Sequence, residues 1–279
     1  MTLVALLAAL YTVGSAAPYV PVMTRCPTLP CAVNVSGVPE GTCLISSDVT
    51  VGGDCSFDAS YARLLIVGAS VQCVIDPDNP PCTLTLAAKE LVELRGSASV
   101  RATTVDIRAG KSILIGENAT VLVNSSVWHR LALARPPGPS GGGGHGGVGS
   151  PCNGVTQGGE AYGDGTDPNV ITVGSPGLGA DLRVGGPGGG LIRLHASSLD
   201  IRGLLSADGG AGAADAGGGA GGGVVLRSNS LNGSGTISAR GGAGGDGSGG
   251  RGRPIAGSGG GGRLYLSLIH ISEPTRRTP

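Results

Sequence analysis

The chain has 279 residues and no formal net charge; 55 of them are glycine, about 20% against a usual ~7%, while aromatic residues make up only 3%. So few large side chains argue against an ordinary globular core, and the balanced charge gives no reason to expect a nucleic-acid partner. The glycines are segregated, with 45 between Gly141 and Gly262, so two materials of different composition meet near Pro136-Pro137-Gly138-Pro139.

Residues 1–17 carry the apolar run Leu3–Leu10 followed by the small residues Gly14-Ser15-Ala16-Ala17. This is the outline of a secretory signal peptide, without the usual basic start, and eight apolar residues are too few to span a bilayer. Residues 18–83 hold Cys26, Cys31, Cys43, Cys55, Cys73 and Cys82, with Cys152 alone outside that segment. No C-x-x-C spacing occurs, so a disulfide framework is expected rather than zinc or a redox motif. Six cysteines leave 15 pairings open. A disulfide-stapled N-terminal cap follows, because the end of a stacked fold needs a polar cover and so small a cap lacks a core of its own. Four N-x-S/T sequons, at Asn34, Asn118, Asn124 and Asn232, are candidate glycosylation sites if the chain is exported.

From Leu84 to Leu133 short alternating runs are separated by Gly96-Ser97, Gly110-Lys111 and Gly116-Glu-Asn118: Leu84-Thr-Leu86, Leu91–Leu94, Val105-Asp-Ile107, Ile113–Ile115 and Thr120–Val123. They predict strands with alternate side chains inward, Val105 and Ile107 filling an interior while Asp106 faces water. The stretch of about 136–188 reads as a long Gly-rich insertion from one coil, with no strand signal before Val170–Val173.

The architecture is decided by a repeat. Gly188–Ala211 and Gly221–Ala243 both read glycines, strand, Leu, Gly-x-[LI]-Ser-Ala, glycines, at an offset of about 32 residues, and a third copy opens at Gly259–Tyr265. Leu199 should stack on Leu231, and Leu205 on Ile237, one strand spacing apart if each copy is one coil. The predicted fold is all-β: a right-handed parallel β-helix over 84–265 with Gly-rich lateral loops.

Candidate chemistry is thin. Gly138-Pro-Ser140-Gly-Gly142 spells a nucleophile pattern but enters polyglycine rather than a strand-to-helix turn. Ala109-Gly-Lys111-Ser112 lacks the first glycine of a phosphate loop, and the lone nonapeptide around Asp246 lacks its apolar anchor and a neighbouring copy for calcium. His129, His145 and His195 are far apart, and His145 reads as a loop residue without a task. No catalytic residue, metal site or cofactor is therefore assigned.

The elements Gly-Gly-Gly-Gly-His145-Gly-Gly and Gly-Gly-Glu-Ala-Tyr162-Gly-Asp, with the repeated Gly-x-[LI]-Ser-Ala-x-Gly-Gly, resemble the glycine-rich, pectin-lyase-like ectodomains of large eukaryotic surface proteins. That resemblance implies a parallel β-helix, in some members followed by cysteine-rich repeats and a membrane span, with no defined activity. Leu266–Arg276 is similar to the conceptual translation of a transposon-end sequencing adapter, which implies that residues 266–279 are an artefact and that native coding sequence stops near Tyr265 in mid-repeat. The function expected is a non-enzymatic secreted or cell-surface structural module, part of a larger protein and attached to a membrane only through a missing C-terminal part. The alternatives are a polysaccharide-active enzyme, and an adhesion or binding module with an extracellular glycan or protein ligand.

Overall fold

The computed structural model describes residues 31–33, 35–57, 61–74, 81–125, 138–152, 157–163, 167, 169–179, 185–246 and 256–268. Eighteen strands wind into six coils of three. Coil 1 is β1 (Thr42–Ile45), β2 (Val49–Val51) and β3 (Cys55–Phe57); coil 2 is β4 (Arg63–Val67), β5 (Ser70–Cys73) and β6 (Thr83–Ala88). Coil 3 is β7 (Leu91–Arg95), β8 (Ser99–Ala102) and β9 (Thr104–Ala109); coil 4 is β10 (Ser112–Ile115), β11 (Thr120–Val123) and β12 (Leu191–His195). Coil 5 is β13 (Ser198–Ile201), β14 (Leu204–Ser206) and β15 (Gly223–Ser228), and coil 6 is β16 (Ser230–Asn232), β17 (Thr236–Ser238) and β18 (Arg263–Leu268).

Every third strand pairs in parallel, giving three six-stranded faces: β1-β4-β7-β10-β13-β16, β2-β5-β8-β11-β14-β17 and β3-β6-β9-β12-β15-β18. This is the expected right-handed parallel β-helix, the hand that parallel crossover connections adopt. The repeat is one coil: Leu199 pairs with Leu231 and Leu205 with Ile237.

Period-2 alternation sends one residue in two inward, and the inward residues stack in columns. Cys43, Leu64, Val92, Ile113, Leu199 and Leu231 form one column, and Cys55, Leu84, Val105, Ile192, Val224 and Leu264 another. Leu84, Val92, Val105, Ile113, Ile192 and Leu199 are fully buried. A solenoid interior this narrow takes about one aliphatic side chain per inward position, which is how so few aromatics suffice. At the corner between the first two faces Gly68 and Gly96, both at φ 61°, supply the left-handed residue of coils 2 and 3.

The disulfide-stapled N-terminal segment is built into the helix: its strands β1–β5 belong to the same three sheets, so parallel coils extend from Thr42 onward. Cys43, Cys55 and Cys73 are buried at inward positions, Cys43 stacking on Leu64 and Cys55 on Leu84. Disulfides join Cys31 to Cys43 and Cys73 to Cys82; Cys55 is also disulfide-bonded, and Cys26 lies outside the described residues. Ala32 pairs antiparallel with Leu44, covering the free edge of β1. At the other end Leu264, Leu266 and Leu268 continue interior columns but stay 59%, 45% and 44% exposed, with no coil beyond them among the described residues. Leu266, Ser267 and Leu268, which open the adapter-like stretch, run in register beside Leu226, Arg227 and Ser228.

Coil lengths locate the insertions. Thr42 pairs with Arg63 and Leu91 with Ser112, steps of 21 residues, whereas Ser112 pairs with Ser198 and Ser198 with Ser230, steps of 86 and 32. The excess always leaves at the corner between the second and third faces: residues 124–190 in coil 4, 207–222 in coil 5 and 239–262 in coil 6. Coil 3 turns that corner on Thr103 alone. The Gly-rich excursions are thereby stacked on one side of the helix.

Candidate functional site

Those excursions form a second ordered body. Successive carbonyls of residues 140–145 accept from Gly257, Leu178, Gly159, Gly260, Ser175 and Tyr162, so the partner segment recurs every third residue. A partner that recurs every third residue matches the threefold repeat of a polyproline II helix, here built largely from glycine. Segment 216–222 is the axis of the bundle. The N–H groups of residues 217–222 donate in turn to Leu178, Gly257, Gly210, Ser175, Gly260 and Ala207, at 2.7–2.9 Å. The carbonyls of residues 216–220 accept from Gly245, Gly186, Gly143, Gly242 and Gly189. This one segment is thus bonded to six others drawn from three successive coils: 138–149, 171–178, 185–190, 207–212, 239–246 and 256–262.

Glycine is required by the approach of the backbones. A Cβ on Gly219 would sit 1.9 Å from the Pro187 carbonyl oxygen, on Gly217 2.0 Å from that of Gly141, and on Gly222 1.9 Å from that of Gly190. Backbone polar groups packed this closely need partners, and along the axial segment the threefold pattern provides them.

His145 completes the pattern. The next lattice position on the Gly221 carbonyl is filled by the His145 Nδ1–H at 2.8 Å, which fixes the tautomer with the proton on Nδ1. The ring is fully buried and lies 5.1 Å from the Tyr162 ring, and its Nε2 is buried without a partner among the described residues. Burial pushes the imidazole pKa below its ordinary value, against the pull of the Gly221 carbonyl. His145 is therefore a structural keystone rather than a loop residue without a task. Beside it the Tyr162 hydroxyl donates to the Val173 carbonyl at 2.6 Å and accepts from Ser175, and burial raises its pKa to about 12. Arg263 from β18 clamps the same strand of chain, donating to the carbonyls of Tyr162 and Gly163 at 2.9 and 2.8 Å.

The bundle docks on the third face. Residues 170–173, where sequence suggested a strand, join no ladder; Ile171 and Val173 instead bury themselves against Leu191, Val225 and Tyr265. Next to this seam the same face opens into a cleft of about 390 Å³ lined by Asp106, Arg108, Arg193, His195, Arg227 and Asn169. Arg108, His195 and Arg227 occupy successive rungs of one ladder, and Arg193 sits on the adjacent ladder between Asp106 and Val225. Asp106, expected to face water, points outward but is 7% exposed, because Arg108 folds over it with bonds of 3.0 and 2.6 Å. That pairing raises the Arg108 pKa above its ordinary value. Arg227 donates to the Asn169 side-chain carbonyl at 2.9 Å.

The residues singled out from sequence are not gathered together. Asn118, Asn124 and Asn232 are exposed, as glycan acceptors must be, whereas Asn34 and His129 lie outside the described residues. Ser140, at φ 55°, donates its hydroxyl to the Asp215 carbonyl, a bond that ties loop to loop. Lys111 pairs with Glu90 at 2.7 Å and Cys152 is buried. Among the described residues no group of three or more His, Cys, Asp or Glu could hold a metal ion. The Arg108, His195 and Arg227 ladder was missed, although its signal is in the sequence: Val-Asp-Ile-Arg108, Ile-Arg-Leu-His195 and Val-Val-Leu-Arg227 place a nitrogen-bearing side chain at one strand phase.

No family model, curated protein or solved structure matches this chain.

Proposed function

We propose that this chain is a non-enzymatic structural module of a secreted or cell-surface protein, in which the β-helix gives length and the glycine bundle gives lateral stiffness. The observation that carries the reading is segment 216–222 bonded on all six sides: it ties the excursions of coils 4, 5 and 6 together, so these coils cannot twist or slide independently. Disulfides at Cys31–Cys43 and Cys73–Cys82 fit an oxidising compartment, and the exposed Asn118, Asn124 and Asn232 fit glycosylation there. The competing reading, cleavage of acidic polysaccharide, requires carboxylates or a base set free to act on a bond. Two carboxylates of the repeats are otherwise engaged: Asp200 holds Arg202, and Asp208 accepts from the Ser238 hydroxyl and the Arg240 N–H.

The test is secretion followed by assay. Expressed in a secreting eukaryotic cell, the chain should reach the medium and shift in mobility on treatment with an N-glycosidase. Incubated with pectate, it should release neither reducing ends nor unsaturated uronides. Turnover of pectate, or retention in the cytosol with reduced cysteines, overturns the reading.

A further inference from the structure

Several arginines of the helix surface are neutralised by an acid two residues earlier: Glu93 holds Arg95 at 2.5 Å, Asp200 holds Arg202 at 2.8 Å, and within the cleft Asp106 holds Arg108 at 2.6 Å. At the same offset Arg193 has Leu191 and Arg227 has Val225. Among the described residues no carboxylate pairs with either, and the one partner of Arg227 is the neutral Asn169. His195 lies directly between Arg108 and Arg227 on the ladder.

Arg193 lies opposite Asp106 and Val225, and Arg227 lies opposite His195. Both guanidiniums stand on the outer face of the β-helix, away from its packed interior. Two planar, five-donor forks without a paired carboxylate at the edge of a concave site are suited to an anion. Geometry selects which. A planar carboxylate offers its lone pairs in one plane, whereas a tetrahedral sulfate ester presents three outer oxygens and takes donors from several directions. Here the donors converge from three adjacent strands, β9, β12 and β15, with Arg193 diagonal to both Arg108 and Arg227.

We propose that this cleft binds the sulfate ester groups of a sulfated polysaccharide, with Arg193 and Arg227 as the principal contacts, His195 between them and Asn169 orienting Arg227. The choice of sulfate over phosphate rests on the extracellular reading above. The site spans three successive coils through β9, β12 and β15, which suits a chain that runs along the stack.

The experiment measures binding of the intact chain to fluorescein-labelled dextran sulfate, polyphosphate, polygalacturonate and unsulfated dextran at one ionic strength. Dextran sulfate should bind most tightly, and raising salt should weaken it. Arg193→Ala combined with Arg227→Ala should lower that affinity at least about tenfold, because charge-assisted bonds from both forks are lost. The double Lys variant retains the charge and the shape of the surface and should fall in between; Arg101→Ala, removing an exposed arginine on the second face, should change nothing. Circular dichroism melts of all three check that the fold persists. Unchanged affinity in the double Ala variant overturns the site, polygalacturonate binding as tightly as dextran sulfate overturns the tetrahedral selection, and tighter polyphosphate binding overturns sulfate. A secreted, inert chain that fails to bind dextran sulfate loses this inference and keeps the structural role.

Discussion

Gly219→Ala tests whether the glycine bundle is a packed solid. The new methyl would lie 1.9 Å from the Pro187 carbonyl oxygen and 2.3 Å from its carbon, both backbone atoms, where real Cβ contacts do not go below 3.0 Å. Segment 185–190 must therefore retreat by about 1.1 Å, which stretches the bonds from Gly186 and Gly189 to the carbonyls of Gly217 and Ala220. Overpacking costs about 1–3 kcal/mol, and each weakened hydrogen bond about 0.5–1.5 kcal/mol. Against these stands a gain of roughly 0.4–1 kcal/mol from the stiffer unfolded chain. The expected net loss is about 2–5 kcal/mol. Gly261→Ala is the internal control, since a Cβ there meets nothing within 4 Å and its φ is not in the left-handed region. It should be neutral or stabilising by up to ~1 kcal/mol. Urea unfolding followed by circular dichroism gives both values, and hydrogen exchange of 216–222 locates the damage. Equal effects of the two substitutions would refute the close-packed lattice, because both remove one glycine from the same bundle.

The other expectations are briefer. His145 has its pKa held below the unfolded value of about 6.5, so its contribution is complete above that pH and is lost as pH falls from there toward the folded value, at up to ~1.4 kcal/mol per pH unit. Urea titrations at several pH values should show this slope in the native chain and not in His145→Gln; the same slope in both would remove His145 from the account. Leu199→Ala, in a fully buried column, should destabilise by about 2–5 kcal/mol. Leu266→Ala, 45% exposed on the last strand, should cost far less, roughly 0.5 kcal/mol. Reduction of Cys31–Cys43 and Cys73–Cys82 should lower stability by about 2–4 kcal/mol each and raise exchange first in coils 1 and 2. Peptide mapping without reduction checks the connectivity, and any other pairing of these four cysteines contradicts the structure.

The coils were legible in the sequence because their physics is local. Alternation in Leu84-Thr-Leu86 or Ile113–Ile115 states which side chains go inward, and the 32-residue offset that carries Leu199 onto Leu231 states that the inward sets stack. The same reasoning stopped short at Thr42, because cysteines read as a framework conceal that Cys43 and Cys55 also satisfy the inward phase. The bundle was not legible. A run of glycines has no side chains to mark a face, and its order comes from hydrogen bonds between residues up to about a hundred positions apart, as when Gly147 donates to Gly261. His145 could be valued only once the Gly221 carbonyl was seen to lack a backbone donor. Arg193 and Arg227 likewise became a site only when the register set β12 beside β15. Sequence alone determined the periodicity and hence the solenoid; tertiary structure decided the lattice and the cleft, because both depend on which coil lies next to which, and for backbone or for charge that adjacency leaves no local pattern.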